Sequence, residues 1–274
     1  MTVRNRRLLL VSLVLVASTL VASAQQPRMI DIGGRRLAVY CEGEPERVPA
    51  VILIPAGGST ARDWAQVQPT VAAFARVCSY DHASQGASDK APVQLQSVDE
   101  VVDDLQGWLK ASNEKGPFIM VAHSIAGLYA RRFVTKYPGE ATGLVFVDSS
   151  HEEQAWRLHE LDPQGPPLDE LTARLGFYVI PDQRLDWRTA LPLIVLARGK
   201  PEPRRARDGS DSQTNRMTEE QFVAWDRAWR AFQEDLSERS PQGQLRVAEK
   251  SGHFIQRDQP NVVVQAIRDV IERR

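Results

Sequence analysis

Apolar residues fall along this chain in short unbroken runs and in helical stripes, and the two kinds of segment alternate. Ala50-Val-Ile-Leu-Ile54 contains no polar position, the pattern of a strand buried on both faces. Leu37 to Cys41 alternates and predicts another strand, as do Arg76-Val-Cys-Ser-Tyr80 and the run from Phe118 to Val121. Further strands are predicted over Gly143–Asp148, Leu191–Ala197 and Gln244–Glu249. Between them lie helices. One runs from Ala61 to about Ala75 and carries Trp64, and a second runs from Val98 to about Ser112 with Val101, Val102, Leu105 and Leu109 on one face. Leu128 to Val134 and Asn261 to Arg273 predict two more. Strands alternating with helices mean an α/β fold, a mostly parallel central sheet with helices on both faces. In such sheets chemistry gathers at the carboxyl ends of the strands. The loops after residues 54, 80, 121, 148, 197 and 249 should therefore meet at one edge.

Two stretches break this rhythm. Residues 151–190 carry Trp156, Pro163, Pro166 and Pro167, are too long for a simple crossover, and read as a small helical cap inserted over that edge. Residues 199–218 are charged and rich in Arg, Asp, Ser and Pro, and read as a mobile loop. Phe222, Trp225, Trp229, Phe232 and Leu236 then recur at spacings of three and four, a helix packing on the sheet or cap.

The 274 residues suit one large α/β domain or two small ones, and 42% apolar with 25% charged residues is ordinary for a globular protein. A formal net charge of -1 gives no basic field for nucleic acid, and no metal-ligand cluster with a recognised spacing is visible. Residues 1–24 read as a signal peptide rather than part of the fold. Arg4, Arg6 and Arg7 precede an apolar stretch from Leu8 to about Val21, and Ala22-Ser-Ala24 supplies a small-x-small cleavage site before Gln25. The stretch is short for a spanning helix, which favours cleavage over a retained anchor. The expectation is an exported protein, periplasmic or secreted, with no stable membrane insertion after cleavage and residues 25–274 forming a single domain. In an oxidising compartment Cys41 and Cys78 can form a disulfide, the alternative being two buried thiols.

Chemistry concentrates at Ser124. In Phe118-Ile-Met-Val-Ala-His-Ser-Ile-Ala-Gly-Leu128 an apolar strand stops and a helix begins, with one hydroxyl among small residues. A serine at that junction sits on a tight turn that pushes its oxygen out of the sheet and aims the first helical N–H groups at what it attacks. Ala122 and Ala126 stand where the G-x-S-x-G turn has glycines. A serine hydroxyl needs a base, and the base needs an orienting acid. Of five histidines, His253 follows the last strand and can reach across the strand ends, whereas His123 points elsewhere and reads as a packed histidine with a structural hydrogen bond. His82 lies in a turn that could line the pocket, and His151 and His159 fall in or near the cap. For the acid, Asp148 ends the strand after the nucleophile helix, and Glu202 in Gly199-Lys-Pro-Glu-Pro203 is its competitor. Oxyanion donors are expected from the N–H of Ile125 and, in the loop after Ile54, of Gly57.

Taken together these segments resemble the α/β-hydrolase family from about residue 30 to the C-terminus. Pro55-Ala-Gly-Gly-Ser-Thr-Ala-Arg-Asp-Trp64 is similar to the family's oxyanion loop, which more often begins His-Gly. Tyr80-Asp-His-Ala-Ser-Gln-Gly-Ala-Ser-Asp89 resembles an Asp-x-x-Gly-x-Gly-x-Ser-Asp turn with Ser84 replacing a glycine. Val121-Ala-His-Ser-Ile-Ala-Gly127 resembles Val-Gly-His-Ser-x-Gly-Gly, and Ser251-Gly-His-Phe-Ile-Gln-Arg-Asp-Gln-Pro260 resembles the histidine segment. The resemblance implies the α/β-hydrolase fold with a small cap and a serine hydrolase with Ser124, Asp148 and His253 in the family's chain order. It implies a small-molecule acyl substrate, most simply a carboxylic ester, and no metal or organic cofactor. In the family the acid more commonly follows the strand that here is 191–197, which fits Glu202, and a minority of members use the strand that here ends at Asp148. Its strand order makes the Cys41 and Cys78 strands neighbours, which implies the disulfide. An acyltransferase or cofactor-free haloperoxidase using the same triad, or a non-catalytic binding protein on this fold, are the alternatives.

Overall fold

The structure, a computed structural model, describes residues 26–93, 96–165, 167–168, 187–201 and 217–273. The expected signal peptide, Glu202, and most of the expected cap and 199–218 loop lie outside the described residues.

Eight strands form one sheet: β1 (Arg28–Asp31), β2 (Arg36–Glu42), β3 (Val51–Ile54), β4 (Val77–Tyr80), β5 (Phe118–His123), β6 (Ala141–Val147), β7 (Leu193–Arg198) and β8 (Gly243–Ala248). Their spatial order is β1-β2-β4-β3-β5-β6-β7-β8. The β1–β2 and β2–β4 pairs are antiparallel, and every pairing from β4 to β8 is parallel. The all-apolar segments are the central strands: Val51, Ile52, Leu53 and Ile54 of β3 are fully buried, as are Ile119, Met120 and Val121 of β5. A strand covered on both faces has no solvent side to alternate toward. The four residues of β1 were not expected, because so short a segment beside two glycines carries too little pattern.

Helices cover both faces. On one side lie α2 (Val98–Ala111), α3 (Ala126–Lys136) and α5 (Glu219–Glu238), and on the other α1 (Gln68–Ala72) and α7 (Pro260–Glu272). The α4 helix (Gln154–Leu161) packs on α5, and a short α6 (Ile255–Asp258) precedes α7. Helix α7 inserts Val263, Ile267 and Val270 against β5, β6 and β7. Burying side chains of this size contributes about 1.5–3 kcal/mol each, so this stripe holds the C-terminus in place. Both α2 and α5 begin with capping boxes, Ser97 with Glu100 and Thr218 with Gln221. The single helix expected over residues 61–75 is instead a 3-10 turn (Ala61–Trp64) and the short α1. Pro69 explains the break, since it lacks an N–H and starts a helix far more readily than it continues one.

Cys41 and Cys78 are cross-strand partners on β2 and β4 and form a disulfide. Two of the tight chain crossings lie at the ends of β6 and β7. A Cβ on Gly127 would lie 2.6 Å from Ser149 Cβ, so α3 approaches the end of β6 more closely than a side chain permits. A Cβ on Gly199, just beyond β7, would lie 2.4 Å from Glu249 Cα, because the chain leaving β8 passes directly over that point. There Gly199 N–H donates to Ala248 O at 3.0 Å and Lys200 N–H to Ser251 O at 2.9 Å. Among the described residues no helix is long and apolar enough to cross a membrane.

Candidate active site

Ser124 follows β5 directly and has φ 57, the left-handed region that non-glycine residues rarely occupy. Such a conformation costs about 1–3 kcal/mol and persists only where the surroundings fix it. They do so here. Ser124 N–H donates to Val147 O at 3.1 Å, and Ser124 O accepts from Ser150 N–H at 2.9 Å and Gly127 N–H at 3.0 Å. The small neighbours are required by space: Ala122 and Ala126 are fully buried and Gly127 abuts Ser149. The first N–H groups of a helix lack intrahelical partners. At α3 they belong to Ile125, the N-cap residue, and the positions after it. Gly57 comes to the same place, since a Cβ built on it would lie 3.1 Å from Ile125 Cγ2. The loop carrying Gly57 is anchored at both ends. His82 Nε2 donates to Pro55 O at 3.0 Å, and Asp81 Oδ1 accepts from Ala61 N–H at 2.8 Å. Ser84, which replaces a glycine of the family turn, adopts a glycine-like φ of 65.

Asp148 is the residue after β6, and β6 pairs in register with β5 so that His123 faces Val147 and the two strands end side by side. Its φ is 42 and its side chain is fully buried. Oδ2 accepts from His253 Nδ1 at 2.6 Å and from an Arg198 guanidinium N–H at 3.1 Å. Oδ1 accepts from the Trp229 indole N–H at 2.9 Å and from Arg198 backbone N–H at 3.1 Å. Burial alone raises this carboxyl, but the hydrogen bond and charge of His253, the charge of Arg198 and the Trp229 N–H more than offset it and hold the group at about 2. With Nδ1–H bonded to the carboxylate, the His253 lone pair is on Nε2, the tautomer a general base needs.

His123 does what a packed histidine does. Its Nε2 donates to His253 O at 2.9 Å and its Nδ1 accepts from Gln256 Nε2 at 3.1 Å. Burial, reinforced by the neighbouring His253, pushes it down to about 3, so it is neutral and pins the backbone of His253. His151 is stacked on Phe232 at 4.5 Å and bonded to Asp235 at 3.0 Å.

The site therefore gathers Ser124, Ile125 and Gly57 on one side and the Asp148–His253 pair on the other, at the carboxyl edge of the sheet. A model described as the alpha/beta hydrolase family matches residues 51–266. The chain belongs to the alpha/beta hydrolase family. Among solved structures, a probable hydrolytic enzyme of Pseudomonas aeruginosa PAO1 superposes with TM-score 0.69 at 17% identity, covering 90% of this chain and 95% of that one. A thermophilic esterase of Thermogutta terrifontis superposes with TM-score 0.62 at 19% identity, covering 91% and 98%. In sequence, the probable transporter efuK of Hormonema carpetanum is 33% identical over 142 residues, 50% of this chain but only 20% of that protein. Two further relatives are matched over 15% and 39% of their own length. This alpha/beta hydrolase chain thus spans a minor part of those curated relatives.

Three residues at this alpha/beta hydrolase site were not expected from the sequence. Arg198 and Trp229 bind Asp148, and Gln233 brackets the next residue, accepting from Ser149 N–H at 3.2 Å and donating to Ser149 O at 2.8 Å. Trp229 belongs to the aromatic stripe, which packs as expected against α4 and the sheet. Periodicity reports which face a residue occupies and is silent on what its N–H will meet. Arg198 did carry a signal, a charge closing an otherwise apolar strand.

Proposed function

We propose that this protein is an exported serine hydrolase that cleaves a small carboxylic ester or related acyl substrate through an acyl-enzyme on Ser124. The observation that carries this reading is the buried 2.6 Å contact of Asp148 with His253 Nδ1, beside a serine held at φ 57 on the strand-to-helix turn. His253 Nε2 takes the Ser124 proton as Oγ attacks the acyl carbon, and Asp148 stabilises the imidazolium so formed. The N–H groups of Ile125 and Gly57 receive the negative charge that develops on the carbonyl oxygen. His253 returns the proton to the leaving alcohol, and water then repeats the sequence to release the acid. The esterase among the structural neighbours fits this reading, and Cys41–Cys78 supports export, since such bonds persist in oxidising compartments.

A serine-directed fluorophosphonate tests the proposal. The expected result is a single adduct on Ser124, lost in Ser124→Ala, with hydrolysis of a short-chain aryl ester that disappears in the same variant. An unlabelled wild-type protein that turns over no aryl ester overturns it.

A further inference from the structure

We propose that Arg198 and Trp229 are positioning residues for this reaction, locking the Asp148 carboxylate into the one orientation that serves His253 and coupling it to helix α5. The inference rests on the serine hydrolase reading for its kinetic consequence and on the contacts around Asp148 for its physical basis. A carboxylate offers about four acceptor sites, and all four are used here. The donors come from three separate elements: Arg198 from β7, Trp229 from α5 and His253 from the turn after β8. No single torsion of Asp148 keeps these bonds while turning Oδ2 away from His253.

Arg198 is itself held. Its second guanidinium nitrogen bonds Asp226 at 3.1 Å, and its guanidinium carbon lies 4.9 Å from the centre of the Trp229 ring. The Trp229 ring in turn meets the His253 ring edge to face at 5.9 Å. Among the described residues, Asp148 is flanked by Arg198 on β7, which pairs with Asp226 on α5, and by His253 on the turn after β8, which lies against the neutral His123 on β5 and follows Gly252, bonded to Asp258 on α6. Arg198 and His253 bond the same oxygen, so the guanidinium and the imidazole share one acceptor. Asp226 holds the guanidinium from the other side. This arrangement gives two separable duties. The Trp229 N–H fixes Oδ1, and Arg198 bonds both oxygens and helps to hold the carboxyl ionised.

The test uses kinetics of aryl ester hydrolysis together with the NMR signal of the His253 Nδ1 proton, which reads the bond to Asp148 without turnover. Trp229→Phe should lower kcat about tenfold, leave KM unchanged and move that signal, as loss of one bond to a buried charge implies. Arg198→Met should lower kcat at least about tenfold with KM unchanged, and Arg198→Lys, which keeps the charge and a donor, should recover part of that loss. Asp226→Asn, a milder change that keeps the fold accessible if Arg198→Met does not, should lower kcat less than Arg198→Met and move the signal in the same direction. Wild-type kcat and an unmoved Nδ1 proton signal in folded Trp229→Phe, or in Asp226→Asn and folded Arg198→Met together, overturn the inference. A wild-type protein without turnover whose Nδ1 proton signal still responds to these substitutions overturns only the hydrolase reading.

Discussion

Opening the Cys41–Cys78 bond isolates one contribution to stability with little disturbance elsewhere. The two half-cystines are 37 residues apart in sequence and directly opposed on β2 and β4. In the chain-entropy account, a crosslink closing a ring of that size removes freedom from the unfolded chain equivalent to about 4 kcal/mol. Reducing the bond leaves both sulfurs in place, so the folded packing around the buried Cys78 changes little. The assay is equilibrium urea unfolding of the same protein with and without a strong reductant, followed by tryptophan fluorescence. With a denaturant slope of about 2–3 kcal/mol/M, the midpoint should fall by roughly 1.5 M. Ester hydrolysis well below the midpoint should be unchanged, because β2 and β4 lie across β3 from the strands that carry Ser124 and Asp148. A midpoint shift below about 0.4 M, equivalent to about 1 kcal/mol, would refute the ring-closure reasoning.

Other outcomes follow from the site. Asp148→Asn should lower kcat for an aryl ester by about 10³–10⁴-fold, while Glu202→Gln changes it less than about tenfold, and the reverse pattern reassigns the acid. Gly127→Ala forces a Cβ to within 2.6 Å of Ser149 Cβ. It should destabilise the fold by about 1–3 kcal/mol in urea unfolding and slow fluorophosphonate labelling of Ser124. The depressed Asp148 carboxyl gives a pH dependence of definite sign. Its stabilising contribution is complete above the unfolded value near 3.8 and is lost as pH falls through about 2. Wild type should therefore lose about 2 kcal/mol more than Asp148→Asn between pH 5 and pH 2, read from urea midpoints.

How far the sequence revealed this molecule depended on what each residue type can signal. Continuous apolar runs within residues 50–54 and 191–197 identified the strands β3 and β7, because burial on both faces sustains them. The strand-to-helix turn at Ser124 was legible from its context, an apolar run giving way to a helical stripe, since the five residues around the hydroxyl are a weak pattern alone. The places of His123 and His253 were legible in part: His123, expected on the turn beside Ser124, instead closes β5 and makes the structural hydrogen bond expected of it, and His253 lies beyond the last strand as expected. What escaped was long-range partnership. Pro69 divided an expected helix that apolar spacing alone had joined. The contact of Trp229 with Asp148 spans 81 positions, and no local pattern encodes where an indole N–H will find its acceptor. Arg198 was visible as a break in polarity, but its double pairing with Asp148 and Asp226 exists only once β6, β7 and α5 are assembled.

The placement of Asp148 just after β6 and His253 beyond β8 has a consequence for the strand between them. Adjacent strands are about 4.8 Å apart, so the turn carrying His253 must span two such intervals to reach Asp148. It does so by running across the tip of β7, and the residue there is Gly199, whose missing side chain leaves the passage open. The missing side chain at position 199 is thus a clearance. Any side chain at that point would lift the imidazole away from its carboxylate without touching either.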